Sequence, residues 1–315
     1  MQVRIIRKVD VAADICAFEL ARPDSSALPA FAAGAHIDVH VGEGLVRQYS
    51  LCNLPGDTHR YVIGVLREAR SRGGSMAMHA LAEGSLLEIS EPKNHFPLAE
   101  GATHSLLLAG GIGVTPILSM AEHLAASGAS FEMHYCTRDT SRAAFRDRLA
   151  DARFAGRVHL YFDSAPAEER VNLRALLAAP EPGKHLYVCG PAGFIGAVLD
   201  TAVAAGWDER NLHREYFAAA SQPEAVSDDF QVKLAGSGQV IDVKSGQTVI
   251  AALTAAGVDV PTSCEQGVCG TCLTRVLAGE PDHRDVYLTD DERATNDCFL
   301  PCCSRSKSPM LVLDL

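Results

Sequence analysis

Cysteines are concentrated in one short part of this 315-residue chain. Six of the ten cysteines lie between Cys264 and Cys303. The chain begins MQVRIIRKVDVAADICAFEL, which predicts an alternating strand rather than a secretory leader, because charged residues interrupt any apolar run of the required length. We therefore expect a cytoplasmic protein, in which thiols stay reduced. The clustered cysteines then favour metal or cofactor ligation over a disulfide framework.

The spacing within the cysteine cluster narrows the kind of ligation. The first three cysteines follow the pattern C-x4-C-x2-C, at Cys264, Cys269 and Cys272. This is the spacing of plant-type [2Fe–2S] centres. Gly267 and Gly270 let the loop turn so that backbone N–H groups face the sulfurs, which helps to set the reduction potential. The alternatives are zinc, which prefers paired C-x2-C knuckles, and buried cysteines without a ligand. The spacing leaves three candidates for the fourth ligand: Cys298, Cys302 and Cys303.

Composition excludes several classes of protein. Hydrophobic residues make up 47% of the chain and charged residues 21%, so the chain can bury real cores and is not disordered. The formal net charge is −11 and no segment forms a basic arm, which argues against a nucleic-acid or anionic-membrane surface. No run of apolar residues is long enough to predict a transmembrane helix.

The texture of the sequence changes twice along the chain. Length alone suggests two domains, but the pattern predicts three. Residues 1–101 carry short strands separated by turns, which predicts a small antiparallel barrel. Residues 102–225 alternate strands with helices, including a helix at Ala143–Leu149, which predicts a parallel sheet covered on both faces. Residues 226–229 end a small, polar stretch read as a linker, and residues 230–315 hold the cysteine loop.

Two glycine turns in the second segment indicate a nucleotide site. Gly110, Gly111 and Gly113 separate a predicted strand from a helix, where glycines allow a pyrophosphate to approach the backbone. The order differs from the G-x-G-x-x-G fingerprint, so that motif is not assigned. A second turn, Cys189-Gly190-Pro191, ends another strand at the carboxyl edge of the sheet. Asp163 ends a third strand and could accept hydrogen bonds from an adenosine ribose while repelling a 2′-phosphate, which favours NADH over NADPH.

Three motifs occur in an informative order: Arg-x-Tyr-Ser at 47–50, Gly-Gly-x-Gly-x-Thr-Pro at 110–116 and Cys-Gly-Pro at 189–191. Together they resemble the ferredoxin–NADP reductase superfamily. With the cysteine loop at the C-terminal end, the resemblance covers essentially the whole chain. The chain is then similar to the phthalate dioxygenase reductase-like family. It implies a flavin-binding β-barrel, an α/β NAD-binding domain and an α+β ferredoxin domain of the β-grasp type, in that order. Other oxygenase reductases place the ferredoxin first.

The resemblance also implies roles for individual residues. The residues expected to contact the flavin ring are Arg47, Tyr49 and Ser50, and those expected to hold its phosphate are Arg67, Gly74 and Ser75. The family uses FMN, and FAD remains the alternative. Thr115 and Cys189 are the expected catalytic positions because they would border the nicotinamide, with Pro191 and Phe194 shaping its pocket.

Two further positions are carried over from the resemblance. Phe217 matches an aromatic residue near the flavin ring, with Tyr216 as its competitor, and Cys302 matches the fourth cluster ligand. For each nucleotide and flavin residue, simple packing is the alternative. The resemblance implies a monomeric, NADH-dependent electron-transfer reductase whose partner is a Rieske-type oxygenase acting on aromatic acids.

No general acid or base is expected, because the cofactors carry the chemistry. The other function weighed is a redox-sensing flavin and iron–sulfur protein without an oxygenase partner. The acid-rich segment 280–297 is read either as a docking face for a basic partner or as a solvated loop.

Overall fold

The computed structural model describes residues 1–42, 45–68, 73–217 and 229–315. The chain forms two compact units, Met1–Glu215 and Tyr216–Leu315. Of the predicted linker 226–229, only Asp229 lies within the described residues. Among the helices of the described ranges, none combines the length and the apolar character that a membrane span needs.

The first part of unit 1 is a six-stranded antiparallel sheet. Its strands are β1 (Gln2–Ala12), β2 (Ile15–Ala21), β3 (His36–His40), β4 (Val46–Ser50), β5 (Tyr61–Leu66) and β6 (Leu86–Ile89), with helix α1 (Gly74–Ala80) between the last two. The order across the sheet is β4-β3-β6-β1-β2-β5. Alternate residues such as Val3 and Ile5 on β1 are fully buried, as expected for strands with one face on a core. Leu51, just beyond β4, also forms an antiparallel bridge to Ile63 of β5.

The second part of unit 1 is a five-stranded parallel sheet. Its strands are β7 (His104–Gly110), β8 (Phe131–Thr137), β9 (Val158–Phe162), β10 (Lys184–Cys189) and β11 (Leu212–Glu215), in the order β11-β10-β7-β8-β9. Helices α2 (Val114–Ser127), α3 (Arg146–Leu149), α4 (Leu173–Leu176) and α5 (Ala192–Ala204) connect them. The unbroken buried run 106–109 on β7 is typical of a strand covered on both faces. The prediction of one antiparallel and one parallel sheet is confirmed.

One predicted helix in this part begins three residues later than predicted. The interval Ala143–Leu149 contains only the short helix α3, because Phe145 adopts a left-handed backbone with φ 61°. The Phe145 ring packs on Gly64 of β5, where a β-carbon would lie 3.2 Å from the ring carbons. The apolar pattern of this segment indicates neither the left-handed Phe145 nor its contact with a strand distant in the sequence.

Unit 2 has an α+β fold around the cysteine loop. Its strands are β12 (Phe230–Leu234), β13 (Val240–Val243), β14 (Thr274–Ala278), β15 (Pro281–Asp282), β16 (Cys298–Phe299), β17 (Arg305–Ser306) and β18 (Met310–Leu313), and its helices are α6 (Val249–Ala255) and α7 (Asp290–Thr295). The main sheet has the order β13-β12-β18-β14-β16. Apolar residues of β12, β18 and α6 form the core, and Thr248 caps α6 by accepting a hydrogen bond from the N–H of Ala251.

Candidate functional site

The two glycine turns predicted from the sequence touch each other. A β-carbon on Gly113 would lie 2.6 Å from the amide nitrogen of Gly190 and closer still to the carbonyl of Cys189. A β-carbon on Gly190 would lie 2.9 Å from the α-carbon of Gly110. Only glycine allows backbones to approach this closely. The turns after β7 and β10 thus form one backbone surface at the carboxyl edge of the parallel sheet, where open α/β sheets bind ligands.

The residues that flank the glycine turns differ in exposure. Thr115, in the first turn of α2, is buried, and its hydroxyl donates a hydrogen bond to the carbonyl of Ile112 at 3.1 Å. Gly111 has φ 54° with open space where a β-carbon would point. Pro191 is exposed and precedes α5, and the Phe194 ring packs against Gly110. The surface is therefore lined by a buried threonine on one side and by an exposed turn on the other.

A carboxyl group that the motifs did not indicate lies beside Cys189. Cys189 is fully buried and pairs in register with Glu215 on β11. Burial, followed by the nearby Glu215 carboxylate, raises the pKa of the Cys189 thiol well above its usual value. Burial also raises the pKa of Glu215 to about 8, although a hydrogen bond from the Ser50 hydroxyl at 3.4 Å opposes this shift.

The Ser50–Glu215 hydrogen bond joins the two halves of unit 1. Ser50 ends β4 of the antiparallel sheet, and Glu215 ends β11 of the parallel sheet. The only sequence signal for Glu215 is its place next to Tyr216 and Phe217, the two aromatic residues considered for the flavin ring. The structure brings together three groups from distant segments at this point: Ser50, Cys189 and Glu215.

Arg47 and α1 are in contact. A β-carbon on Gly74 would lie 2.7 Å from the Nε of Arg47, so the arginine side chain crosses the beginning of α1. Gly73, just before the helix, has φ 95°. Tyr49 is half-buried on the same strand, and burial raises the pKa of its hydroxyl to about 12 while the Arg47 charge opposes the shift. A cation and a helix N-terminus thus lie together, which suits an anionic group.

The other two predicted phosphate residues have partners within the chain. The Ser75 hydroxyl accepts a hydrogen bond from the N–H of Glu68 at 3.1 Å. Arg67 forms an ion pair with Asp14 at 2.8 Å, and Arg142 approaches the same carboxylate at 3.1 Å. A hydrogen bond from Arg67 lowers the pKa of Asp14, burial opposes this shift, and the Arg142 charge adds to the lowering. Asp14 therefore orients Arg67, a partner that the motif gave no reason to expect.

Asp163 and Phe217 lie just beyond the ends of β9 and β11, the two outer strands of the parallel sheet. Asp163 is exposed directly after β9, the outer strand two positions from β7, and its N–H donates to the carbonyl of Thr137 at 2.9 Å. Phe217 lies two residues beyond β11 and belongs to unit 2, where 38% of it is exposed, while Tyr216 is half-buried.

The four predicted cluster cysteines converge in unit 2. All four are buried: Cys264, Cys269, Cys272 and Cys302. Cys264 is close enough to interact electrostatically with Cys269 and Cys302, and Cys302 with Cys272. Hydrogen bonds from those thiols, with others from the N–H groups of Gln266 and Val268, lower the pKa of Cys264. The other two candidates for the fourth ligand, Cys298 and Cys303, are only half-buried.

The backbone of the cysteine loop depends on its two glycines. Gly267 and Gly270 have φ values of 71° and 72°. A β-carbon on Gly270 would lie 2.7 Å from the Tyr287 hydroxyl, and one on Gly267 would overlap the Cys303 sulfur. Four buried sulfurs with backbone N–H donors form a donor set that fits a [2Fe–2S] cluster.

The acid-rich segment 280–297 is not uniformly available as a surface. Asp285 is buried and accepts hydrogen bonds from the N–H groups of Tyr287 and Leu288. Glu292 completes a capping box with Thr289 at the beginning of α7. These two acids hold the fold around the cysteine loop, so a docking face would draw on the remaining ones.

Comparisons with known proteins agree with this arrangement. Residues 232–307 match the family model of the 2Fe-2S iron-sulfur cluster binding domain, and residues 90–212 match the model of the dimethylamine monooxygenase subunit DmmA-like N-terminal domain. A vanillate O-demethylase oxidoreductase of Pseudomonas sp. (strain HR199 / DSM 7063) is 56% identical over 97% of this chain and 96% of its own length. A phthalate dioxygenase reductase of Burkholderia cepacia is 39% identical over 100% of this chain and 97% of its own.

A solved structure extends the comparison to the fold. It is a phthalate dioxygenase reductase described as a modular structure for electron transfer from pyridine nucleotides to [2Fe–2S]. It superposes with a TM-score of 0.81 at 38% identity, and covers 100% of this chain and 98% of the solved one. These similarities span both units. The chain therefore belongs to the phthalate dioxygenase reductase family of oxidoreductases.

Proposed function

We propose that this chain is an NADH-dependent reductase that passes electrons through FMN to its [2Fe–2S] cluster and on to a Rieske-type oxygenase. The observation that carries the proposal is the Ser50–Glu215 hydrogen bond. It joins the strand expected to hold the flavin to the strand beside Cys189, at the edge expected to hold the nicotinamide. The similarity to vanillate O-demethylase oxidoreductase, at 56% identity, supports vanillate demethylation as the reaction that the partner carries out.

Flavin binding falls to the antiparallel sheet, for which we propose a closed barrel. Arg47, Tyr49 and Ser50 would contact the ring, while Gly74, Ser75 and Arg67 would hold the phosphate. The Arg47 side chain across Gly74 supports a phosphate at the beginning of α1. We propose FMN rather than FAD because the relatives include phthalate dioxygenase reductase, whose family the sequence resembles. When bound, a flavin accepts a hydride and releases its two electrons one at a time, as a one-electron cluster requires.

NADH binding falls to the parallel sheet. The backbone of the turns at Gly110, Gly111, Gly113, Gly190 and Pro191 would face the dinucleotide, with Asp163 at the adenosine ribose. Thr115 and Cys189 would border the nicotinamide. The Glu215 carboxyl keeps its proton to about pH 8, so it adds no negative charge beside Ser50 at neutral pH. The chain thereby adds no negative charge from Glu215 beside the proposed hydride donor and acceptor.

Several finer features belong to the same proposal. Cys264, Cys269, Cys272 and Cys302 would hold the cluster in a β-grasp ferredoxin domain of residues 230–315. Residues 1–101 and 102–225 would be the flavin and NAD domains, with Phe217 near the flavin ring. We further propose a monomeric, cytoplasmic protein. The comparisons give no support to the redox-sensing alternative.

Reconstitution with an oxygenase tests the proposal. The purified chain is combined with the oxygenase component of a vanillate O-demethylase, vanillate and NADH, and vanillate loss is followed together with NADH oxidation. We expect NADH-dependent demethylation that stops when the chain is omitted, and slower or no turnover when a phthalate dioxygenase oxygenase component and phthalate are used instead. If the chain oxidises NADH with cytochrome c but drives neither oxygenase, the proposed partner is wrong.

A further inference from the structure

Helix α2 has a buried polar face. Thr115, Ser119 and Glu122 are spaced so that they share one side of the helix, and each is at most 4% exposed. Apolar residues occupy such positions in most core helices, because a buried polar group needs a hydrogen-bonding partner. Three of them in succession on one face indicate that this face contacts something specific.

Two residues of this face contact the antiparallel half of unit 1. The Ser119 hydroxyl donates a hydrogen bond to the carbonyl of Asn53 at 3.0 Å. The Thr115 methyl packs on Gly64 of β5, where a β-carbon would lie 2.8 Å from it. Asn53 lies three residues beyond Ser50, the last residue of β4. The polar face of α2 therefore rests on the strands that we propose hold the flavin.

Glu122 reaches the same segment through Arg148. Arg148 donates to the Glu122 carboxylate from Nη2 at 2.7 Å and from Nε at 3.2 Å, and the same Nη2 donates to the carbonyl of Cys52. Glu122 is almost fully buried, and Arg148 stacks over the Phe145 ring, the residue with the left-handed backbone. Arg148 thus ties α2 and the loop before α3 to the residue two positions after Ser50.

A buried ion pair is weak evidence for stability, since apolar residues of similar volume often serve as well. An ion pair can instead fix the relative orientation of the two segments that it joins. A guanidinium that donates to both a carboxylate and a backbone carbonyl allows one relative placement of the two segments, because its donors have a fixed fork geometry. The network therefore specifies the register of α2 against the end of β4.

We propose that Ser119, Glu122 and Arg148 are positioning residues that fix α2, and with it Thr115, against the strand carrying Ser50, and so set the placement of the nicotinamide relative to the flavin. The inference rests on the proposed function, since it assumes hydride transfer from NADH to the flavin across this contact. Reacting atoms must be held about 3–3.5 Å apart, and a misplacement of about 1 Å can slow a reaction about a hundredfold. The network is built at the place where such a displacement would arise.

The test uses the full chain with its cofactors and three variants, R148K, E122Q and S119A. The matched control is R153Q, because Arg153 approaches the same Glu122 oxygen at 3.7 Å but touches neither Cys52 nor Asn53. Flavin reduction by NADH is measured in an anaerobic single turnover, NADH affinity is measured by titration, and hydrogen–deuterium exchange is followed at the 50–53 and 114–122 segments. S119A removes a single hydroxyl and is expected to fold, so the test does not depend on the charged variants.

We expect flavin reduction to slow about tenfold or more in R148K and E122Q and severalfold in S119A, with NADH affinity changed by less than about threefold. Exchange at the two segments should rise, and R153Q should match the wild type on all measures. If the variants exchange faster or melt lower but reduce their flavin at the wild-type rate, the network is merely structural and the inference is wrong. If NADH fails to reduce the wild-type flavin at all, the proposed function is wrong and the inference falls with it.

Discussion

Replacing Gly113 by alanine should separate the two glycine turns. Gly113 has φ −60°, which any residue can adopt, so backbone conformation is no obstacle. The added β-carbon, however, would lie 2.6 Å from the amide nitrogen of Gly190. Its neighbours there are backbone atoms of Cys189 and Gly190, which cannot rotate away as a flexible side chain can. The turns must therefore separate by about 1 Å to restore ordinary contact.

The separation of the turns should lower both the melting temperature and the rate of flavin reduction. Overpacking of this kind costs about 1–3 kcal/mol, and each kcal/mol lowers the melting temperature by about 2–4 °C in a unit of this size. We therefore expect G113A to melt roughly 2–12 °C below the wild type. A shift of about 1 Å in the nucleotide surface should also slow flavin reduction by NADH about a hundredfold.

G193A is the matched control. Gly193 lies in the first turn of α5, beside the second glycine turn, and a β-carbon there would meet nothing within 4 Å. Alanine favours a helix over glycine by about 1 kcal/mol, so G193A should be unchanged or slightly more stable. Thermal unfolding and anaerobic flavin reduction are measured for both variants, with the visible absorption of the cluster as a check on unit 2. If G113A behaves like G193A, the close approach of the two turns does not build the nucleotide surface.

Two further predictions concern single carboxylates. Between the ordinary glutamate pKa of 4.5 and the folded value of about 8, folded Glu215 keeps a proton that the unfolded chain releases, so its contribution to stability falls as pH rises through this window. E215Q, which cannot ionise, should gain stability relative to the wild type between pH 5 and pH 9 in urea unfolding, and parallel pH profiles would contradict the assignment. D163S removes the negative charge proposed to repel a 2′-phosphate, so its NADPH-to-NADH ratio of kcat/KM should rise about tenfold. An unchanged ratio would mean that Asp163 does not face the ribose.

Local patterns in the sequence were enough to predict the elements of both sites. The glycine turns sit at strand ends that apolar runs define, and C-x4-C-x2-C lies within one loop, so neither depends on distant contacts. The antiparallel and parallel sheets follow from the same periodicities. The fourth cysteine was different, because Cys298, Cys302 and Cys303 are equivalent in spacing. In the structure Cys302 is buried and interacts with Cys264 and Cys272, whereas Cys298 and Cys303 are half-buried, which supports the proposal of Cys302 as the fourth ligand.

No local pattern in the sequence indicates the contacts between distant segments. Ser50 and Glu215 are 165 residues apart, and the partners Arg148 and Cys52 are 96 residues apart. In a sequence, a charged residue within a helix indicates a solvent-exposed face, so nothing in the sequence predicts that Glu122 of α2 is buried. Phe145 is a similar case for the backbone. Its left-handed conformation and its contact with Gly64 are not indicated by the helical pattern around it.

In the proposed order of transfer, electrons enter at the flavin and leave through the cluster. Anaerobic NADH reduction of the wild type and of C272S tests this order, because Cys272 is buried in unit 2, whereas Arg47, Tyr49 and Ser50, which we propose contact the flavin ring, lie in unit 1. We expect NADH to bleach the absorption bands of both the flavin and the cluster in the wild type. In C272S, the cluster absorption and its EPR signal should be absent, the flavin should be reduced at the wild-type rate, and cytochrome c reduction should be largely lost. Wild-type cytochrome c reduction by C272S, or failure of NADH to reduce its flavin, would contradict the proposed order of electron transfer.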